Sequence, residues 1–231
     1  MDRQERKSRL ELVDIYPVTC ERLSNGRSDP EVLDGLIEGG ARMVQLREKD
    51  LGNGDFFQLA EKFRQRTARA GMLLVINDRV DVAIAVGADG VHLGQEDFPV
   101  PAARRIVPDL LIGVSTHNLE EALRAQDEGA DYVNIGPIFP TETKDGVGYS
   151  LGPEAIRQIA PHLRIPFTVM GGIKESNIGQ VLEAGATKVA VVTAITLAPD
   201  IAEAVRSFRR IIRGEQLPFL TAEAQRARRN D

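Results

Sequence analysis

Tryptophan is absent from this 231-residue chain, and there is a single cysteine and three histidines. A lone Cys20 cannot close an internal disulfide and has no partner cysteines for a zinc cluster. A packing or rim thiol after the first strand is the favoured reading for it, over a nucleophile. His92, His117 and His162 form neither a Ser-His-Asp arrangement nor a pair at metal-ligand spacing, so hydrogen-bonding or packing roles are expected for them. His117 is set apart because it follows Ser115 at a rim position. No apolar run approaches the roughly 20 residues that span a bilayer. The segment from Met1 to Glu11 is charged, unlike a secretory signal, so a cytoplasmic location and no membrane partner are expected. A net charge of −5 gives no reason to expect nucleic acid. Arg206, Arg209, Arg210 and Arg213 near the end of a last helix, and Arg226, Arg228 and Arg229 in a polar tail, read as solvated surface.

What the chain does have is a repeat. A Gly-Ala pair leads into a short apolar run ending in polar residues at Gly40-Ala41, Gly87-Ala88, Gly129-Ala130 and Gly185-Ala186, with a period of roughly 40–55 residues. Each Gly suits a helix end, because glycine adopts the left-handed conformation without steric cost. The Val/Leu/Ile-rich run after it reads as a buried strand. Further runs at 12–18, 72–76, 110–114 and 166–170 bring the total to eight strands. Helix signals lie between them: Asp29-Pro30 as N-cap and first residue, Phe56 to Ala70 stopped by Gly71, Asn118 before Leu119 to Glu128, Ser176 before Asn177 to Ala184, and Asp200 before Ile201 to Arg213. Alternating helices and nearly continuous apolar strands imply a parallel sheet covered by helices. The expected fold is a single (β/α)8 TIM barrel, with 1–11 as an N-terminal extension and 215–231 as a C-terminal tail. A doubly wound open sheet is the alternative.

In such barrels, chemistry sits at the C-terminal ends of the strands. The second strand ends Gln45-Leu46-Arg47-Glu48-Lys49, and alternation puts Gln45, Arg47 and Lys49 on one face. Two cations aimed into a barrel mouth call for an anion, although a neighbouring acid would also satisfy Arg47. The third strand ends Asn77-Asp78-Arg79 and the fourth gives His92-Leu93-Gly94-Gln95-Glu96-Asp97. Asp78 and Asp97 on adjacent strands suit Mg²⁺, which uses one or two carboxylates and completes its shell with water and substrate phosphates. Ser115 follows the fifth strand. After the sixth comes a loop with Thr141, Thr143, Lys144, Gly146 and Gly148, fit to close over a ligand or to serve as a plain surface connection. Gly171-Gly172 and Val192-Thr193 each precede a helical stretch at the last two strands, where barrels frequently bind phosphate. One phosphate there and a cation-plus-metal site across the mouth predict two anionic substrates.

In this order, Gln-Leu-Arg-Glu-Lys, Asn-Asp-Arg, His-Leu-Gly-Gln-Glu-Asp, Pro-Thr-Glu-Thr-Lys and Gly-Gly-Ile resemble the thiamine-phosphate synthase family over roughly residues 12–213. The resemblance implies a Mg²⁺-dependent transferase. Its substrates would be 4-amino-2-methyl-5-(diphosphooxymethyl)pyrimidine and a thiazole phosphate, and its products thiamine phosphate and diphosphate. It implies that Gln45, Arg47, Lys49, Asn77, Ser115 and Lys144 hold the pyrimidine diphosphate and that Asp78 and Asp97 bind the metal. Thr141, Thr143, Gly172, Val192 and Thr193 would hold the thiazole phosphate, with Thr193 standing where serine is expected. The catalytic set would be Arg47, Lys49, Lys144 and Ser115, acting on charge rather than as nucleophiles. Similar proteins also suggest a homo-oligomer. A thiazole tautomerase of similar sequence would not need the diphosphate apparatus, and a noncatalytic phosphate-binding barrel would not turn over.

Overall fold

The computed structural model describes residues 1–141 and 149–215. Eight strands run β1 Ile15–Pro17, β2 Met43–Leu46, β3 Leu73–Asn77, β4 Gly90–Leu93, β5 Leu111–Thr116, β6 Tyr132–Ile135, β7 Phe167–Val169 and β8 Val189–Val191. All seven ladders are parallel, in the order β1-β8-β7-β6-β5-β4-β3-β2. The ends of that order meet through the parallel bridge between Val18 and Gln45 and the Thr19 N–H to Gln45 carbonyl bond of 2.9 Å. The sheet is thus a closed (β/α)8 barrel, and the open doubly wound alternative falls. All eight expected strands are present; β1 and β7 are shorter than expected, while β3 and β5 begin one residue later and run on to Asn77 and Thr116. Leu12 is the visible excess: it lies in a turn and is exposed.

The helices are α1 Arg3–Glu11, α2 Asp29–Glu38, α3 Asn53–Ala70, α4 Val80–Ala85, α5 Val100–Ile106, α6 Leu119–Asp127, α7 Glu154–Ile159, α8 Ile178–Glu183, α9 Thr193–Thr196 and α10 Ile201–Ile212. Capping marks several starts as the sequence suggested. Asn118 and Asp200 accept hydrogen bonds from the backbone N–H three residues on, and α3 ends on Gly71 at φ +64°.

Strand alternation sorts the interior into two layers. Outward residues such as Val44, Leu46, Leu74, Ile76, Ile112, Val133 and Val189 meet the helices in one large cluster. Inward residues Tyr16, Met43, Leu73, Val75, Leu111, Tyr132 and Ala190 fill the barrel with Leu10 and Val13. Leu10 belongs to α1, so the charged N-terminal segment is the plug of the barrel's N-terminal end. Its arginines complete that plug: Arg3 bonds Asp131 at 2.8 Å, Arg6 pairs with Asp89 at 3.5 Å, and Arg9 bonds the Gly71 carbonyl. Asp89 and Asp131 also accept the backbone N–H groups of Leu74 and Ile112, pinning neighbouring strands at their starts.

Two expectations need correction. Arg209 and Arg213 are not simply solvated, because both bond the Asp14 carboxylate at the start of β1, at 3.1 and 2.6 Å. Burial raises the Asp14 carboxyl, but the Ile15 N–H and then Arg209 and Arg213 outweigh it, and its pKa lies below the ordinary value. Likewise Asp29 is not the cap of α2. Ser28 is, in a capping box with Glu31, and Asp29 is the first helical residue, fully buried. Neither oxygen of Asp29 has a well-formed hydrogen bond among the described residues. Burial, then the Glu48 and Glu21 carboxylates beside it, push Asp29 up to about 8.

Two stability measurements follow. Leu10→Ala should lower the unfolding free energy by about 2–5 kcal/mol in urea titrations, whereas Leu12→Ala should stay within about 0.5 kcal/mol. If the two lose the same amount, the plug assignment is wrong. For Asp29 the folded carboxyl is raised above its ordinary 3.8. Between that value and about 8 the folded chain holds a proton that the unfolded chain has released. Its contribution therefore destabilises increasingly as pH rises through that window. Asp29→Asn removes this dependence, and should gain roughly 2–8 °C in Tm at pH 8 with little change at pH 5. An equal shift at both pH values would show that Asp29 is ionised in the fold.

Candidate active site

A cavity of about 150 Å³ opens at the C-terminal ends of the strands. Gln45, Arg47, Lys49, Asn77, Asp78, Asp97, Ser115, Thr141, Gly172, Val192 and Thr193 all line it. Thr143 and Lys144 lie outside the described residues. Parallel register explains the convergence: Gln45 pairs with Val75, Asn77 with His92 and Ser115 with Asn134, so the polar inward residues stand near one level of the barrel.

One side of the cavity carries the charges. Lys49 Nζ lies 3.3 Å from Asp78 Oδ2, and Asp97 Oδ2 accepts the Gly94 N–H at 2.6 Å. The carboxyl of Asp97 is close enough to that of Asp78 to act on it. Burial and then this neighbour raise the Asp78 carboxyl, against the pull of Lys49. Asp78 takes φ +60°, a left-handed conformation uncommon for a residue with a side chain, while its N–H bonds the His92 carbonyl at 2.8 Å. Two half-buried carboxylates in contact form a site for a hard cation or a shared proton. Among the described residues no group of three or more His, Cys, Asp or Glu gathers to hold a metal. Two carboxylates fit a divalent ion that brings its own water or phosphate oxygens, as Mg²⁺ does. Arg47 also lines the cavity, its backbone N–H bonded to Thr19 Oγ1 at 3.1 Å.

The other side is built from backbone. Gly172 has φ +60°, and a Cβ there would strike the Pro140 carbonyl and Phe139. The same loop therefore needs glycine to admit the β6 loop, which bonds it through Phe139 N–H to Gly171 O at 3.0 Å. Val192 and Thr193 open α9 directly after β8. Pro137, Met170, Ile173 and Val191 add apolar lining beside these glycines and α9.

Several lining residues were not singled out from the sequence. Asn134 points inward two residues after Tyr132 and accepts from Thr168 Oγ1 at 2.7 Å. The period-2 pattern of β6 carried that signal, since Tyr132, Asn134 and the cavity lie on one face. His92 was expected to pack or hydrogen-bond, and it does both, bonding Ser115 Oγ through Nε2 at 2.9 Å while lining the cavity. His117 also lines the cavity, but its Nδ1 is engaged by Glu121 at 2.8 Å. Cys20 is buried near the first strand, and burial first, then Glu48, raises its thiol. It is a packing thiol and does not line the cavity.

Comparison with known proteins agrees with this geometry. The family model described as thiamine monophosphate synthase matches residues 15–195. A thiamine-phosphate synthase of Chloroflexus aurantiacus is 46% identical over 86% of this chain and 92% of its own length. That of Caldicellulosiruptor saccharolyticus is 40% identical over 92% of this chain and 97% of its own. A solved thiamine phosphate pyrophosphorylase from Pyrococcus furiosus superposes with a TM-score of 0.82 at 37% identity, covering 91% of this chain and all of that one. No helix among the described residues is long and apolar enough to cross a membrane. By its matched length, its identity and its barrel, the chain belongs to the thiamine-phosphate synthase family, transferases that couple a pyrimidine and a thiazole into thiamine phosphate.

Proposed function

We propose that the cavity binds 4-amino-2-methyl-5-(diphosphooxymethyl)pyrimidine on its charged side and 4-methyl-5-(2-phosphooxyethyl)thiazole, or its carboxylated form, on its glycine side. The observation carrying this reading is the division of the cavity itself. Arg47, Lys49, Asp78 and Asp97 follow the neighbouring strands β2, β3 and β4, while Gly172, Val192 and Thr193 follow the neighbouring strands β7 and β8. Gln45, Asn77 and Ser115 hold the pyrimidine diphosphate between them, and Thr141 and Thr143 add hydroxyls for the thiazole phosphate. Asp78 and Asp97 would hold Mg²⁺, which would supply positive charge for the diphosphate when bound.

The chain's own residues act by charge and position. Arg47, Lys49 and Lys144 stabilise the negative charge that accumulates as the methylene C–O bond breaks and its electron pair leaves with diphosphate. The pyrimidine methylene becomes a resonance-stabilised carbocation, and the thiazole nitrogen donates its lone pair to form the new C–N bond. No protein nucleophile is required. Pro137, Met170 and Ile173 line the cavity and keep water from the cation. Binding both partners in one cavity converts a bimolecular capture into an intramolecular one. The same reading carries a cytoplasmic, homo-oligomeric enzyme with no nucleic-acid partner.

Purified protein given both substrates should release diphosphate and thiamine phosphate in equal amounts, and only with Mg²⁺, followed by phosphate assay and mass. Thiazole isomerisation without diphosphate release would instead establish a tautomerase, and binding of both ligands without turnover a noncatalytic barrel. Lys144→Ala and Arg47→Ala should each lower kcat by about 10²–10³. Near-normal turnover in the Lys144 variant would remove that residue from the assignment.

A further inference from the structure

Inside the barrel, five side chains from five different strands form one hydrogen-bonded path that begins and ends at the cavity. Gln45 Nε2 of β2 bonds Tyr16 Oη of β1 at 2.7 Å, and Tyr16 Oη bonds Tyr132 Oη of β6 at 2.9 Å. Tyr132 Oη bonds His92 Nδ1 of β4 at 3.2 Å, and His92 Nε2 bonds Ser115 Oγ of β5 at 2.9 Å. Both tyrosines are fully buried and neither lines the cavity. Their rings meet edge to face with centroids 6.0 Å apart, and the His92 ring tilts against Tyr132 at 5.7 Å. Gly113 makes room for this contact, because a Cβ there would overlap the Tyr132 ring and hydroxyl and His92 Nδ1. Burial raises both phenols above the ordinary tyrosine value, so each keeps its one proton.

One proton per hydroxyl leaves little freedom. The Gln45 amide nitrogen only donates, so Tyr16 accepts from it and must give its own proton to Tyr132. Tyr132 then gives its proton to His92 Nδ1, which must be bare. The ring proton is therefore on Nε2 and goes to Ser115 Oγ, whose own proton is left for the cavity. Reversing any member forces all the others to reverse, including a flip of the Gln45 amide.

We propose that this path is polarised from Gln45 to Ser115. Tyr132 is then a positioning residue that makes Gln45 present its carbonyl oxygen, and Ser115 its hydroxyl proton, to the ligand. An acceptor and a donor held in fixed places match the exocyclic amine and a ring nitrogen of a 4-aminopyrimidine. The choice of ligand rests on the function proposed above; the polarity of the path does not.

Histidine nitrogen NMR on the full-length protein at pH 7 reads the polarity directly, with His92 assigned by the signal lost in a His92→Asn sample. The expected result is a neutral ring protonated on Nε2. A ring protonated on Nδ1, or on both nitrogens, overturns the proposal. Tyr132→Phe keeps the ring and cuts the path at its middle. It should move the His92 nitrogen shifts toward the Nδ1-protonated form and raise KM for the pyrimidine diphosphate about tenfold, the scale of one unmatched hydrogen bond. KM for the thiazole phosphate should stay within about twofold, since that partner binds across the cavity. Equal changes in both KM values, or none in either, overturn the positioning role. Parent protein without synthase turnover would sink the function proposed above, and the nitrogen shifts would still decide the polarity. The parent spectrum keeps the test decisive even if the Tyr132 variant does not fold.

Discussion

A closed parallel barrel has no hydrogen-bonding edge, and every second side chain on each of its eight strands must share one narrow axis. That constraint governs the rest of the molecule. Met43, Leu73 and Leu111 meet low in the axis with Leu10 beneath them, and the axis is sealed by contact among apolar groups. Two to four residues later on the same strands, Gln45, Asn77 and Ser115 face the same axis from the other end, where it opens to solvent. The change from apolar to polar along each strand is the physical origin of an active site at one end of the barrel and a plug at the other.

The polar end must also satisfy its buried donors and acceptors. Gln45, Asn134 and Thr168 are buried, and each finds a partner within the barrel rather than in the core around it. Such groups are costly when unmatched and stiff when matched. The cavity therefore combines a preorganised interior with charged residues at its rim, where Arg47, Lys49 and Asp78 remain partly in water. That arrangement suits ligands whose anionic ends stay near the mouth while a flat ring reaches inward.

The fold was legible because its signals are local and repeated. Gly-Ala before four of the apolar runs, Asn118 and Asp200 as caps, and alternation in Met43-Val-Gln-Leu46 all act within a few residues, and the helices and strands follow them. The described members of the expected site converge for the same reason, since they stand at strand ends that a barrel must bring together. What could not be read was long-range pairing among charges. Nothing near Asp14 in sequence points to Arg209 and Arg213, and nothing near Asp29 announces that Glu48 and Glu21 fold against it. The roles of Tyr16 and Tyr132 were hidden likewise, because a lone tyrosine in an apolar strand carries no mark of the partner its hydroxyl will meet.

The plug has a consequence for how the chain comes together during synthesis. Arg3 finds Asp131 across 128 positions of sequence, so α1 cannot take its final place until the start of β6 has been made. At synthesis rates of roughly 5–20 residues per second, that wait is on the order of ten seconds. Through that interval Leu10 and its neighbouring arginines have no finished surface to rest on. A helix that precedes every strand in the chain thus closes the barrel from below only after most of the staves are in hand.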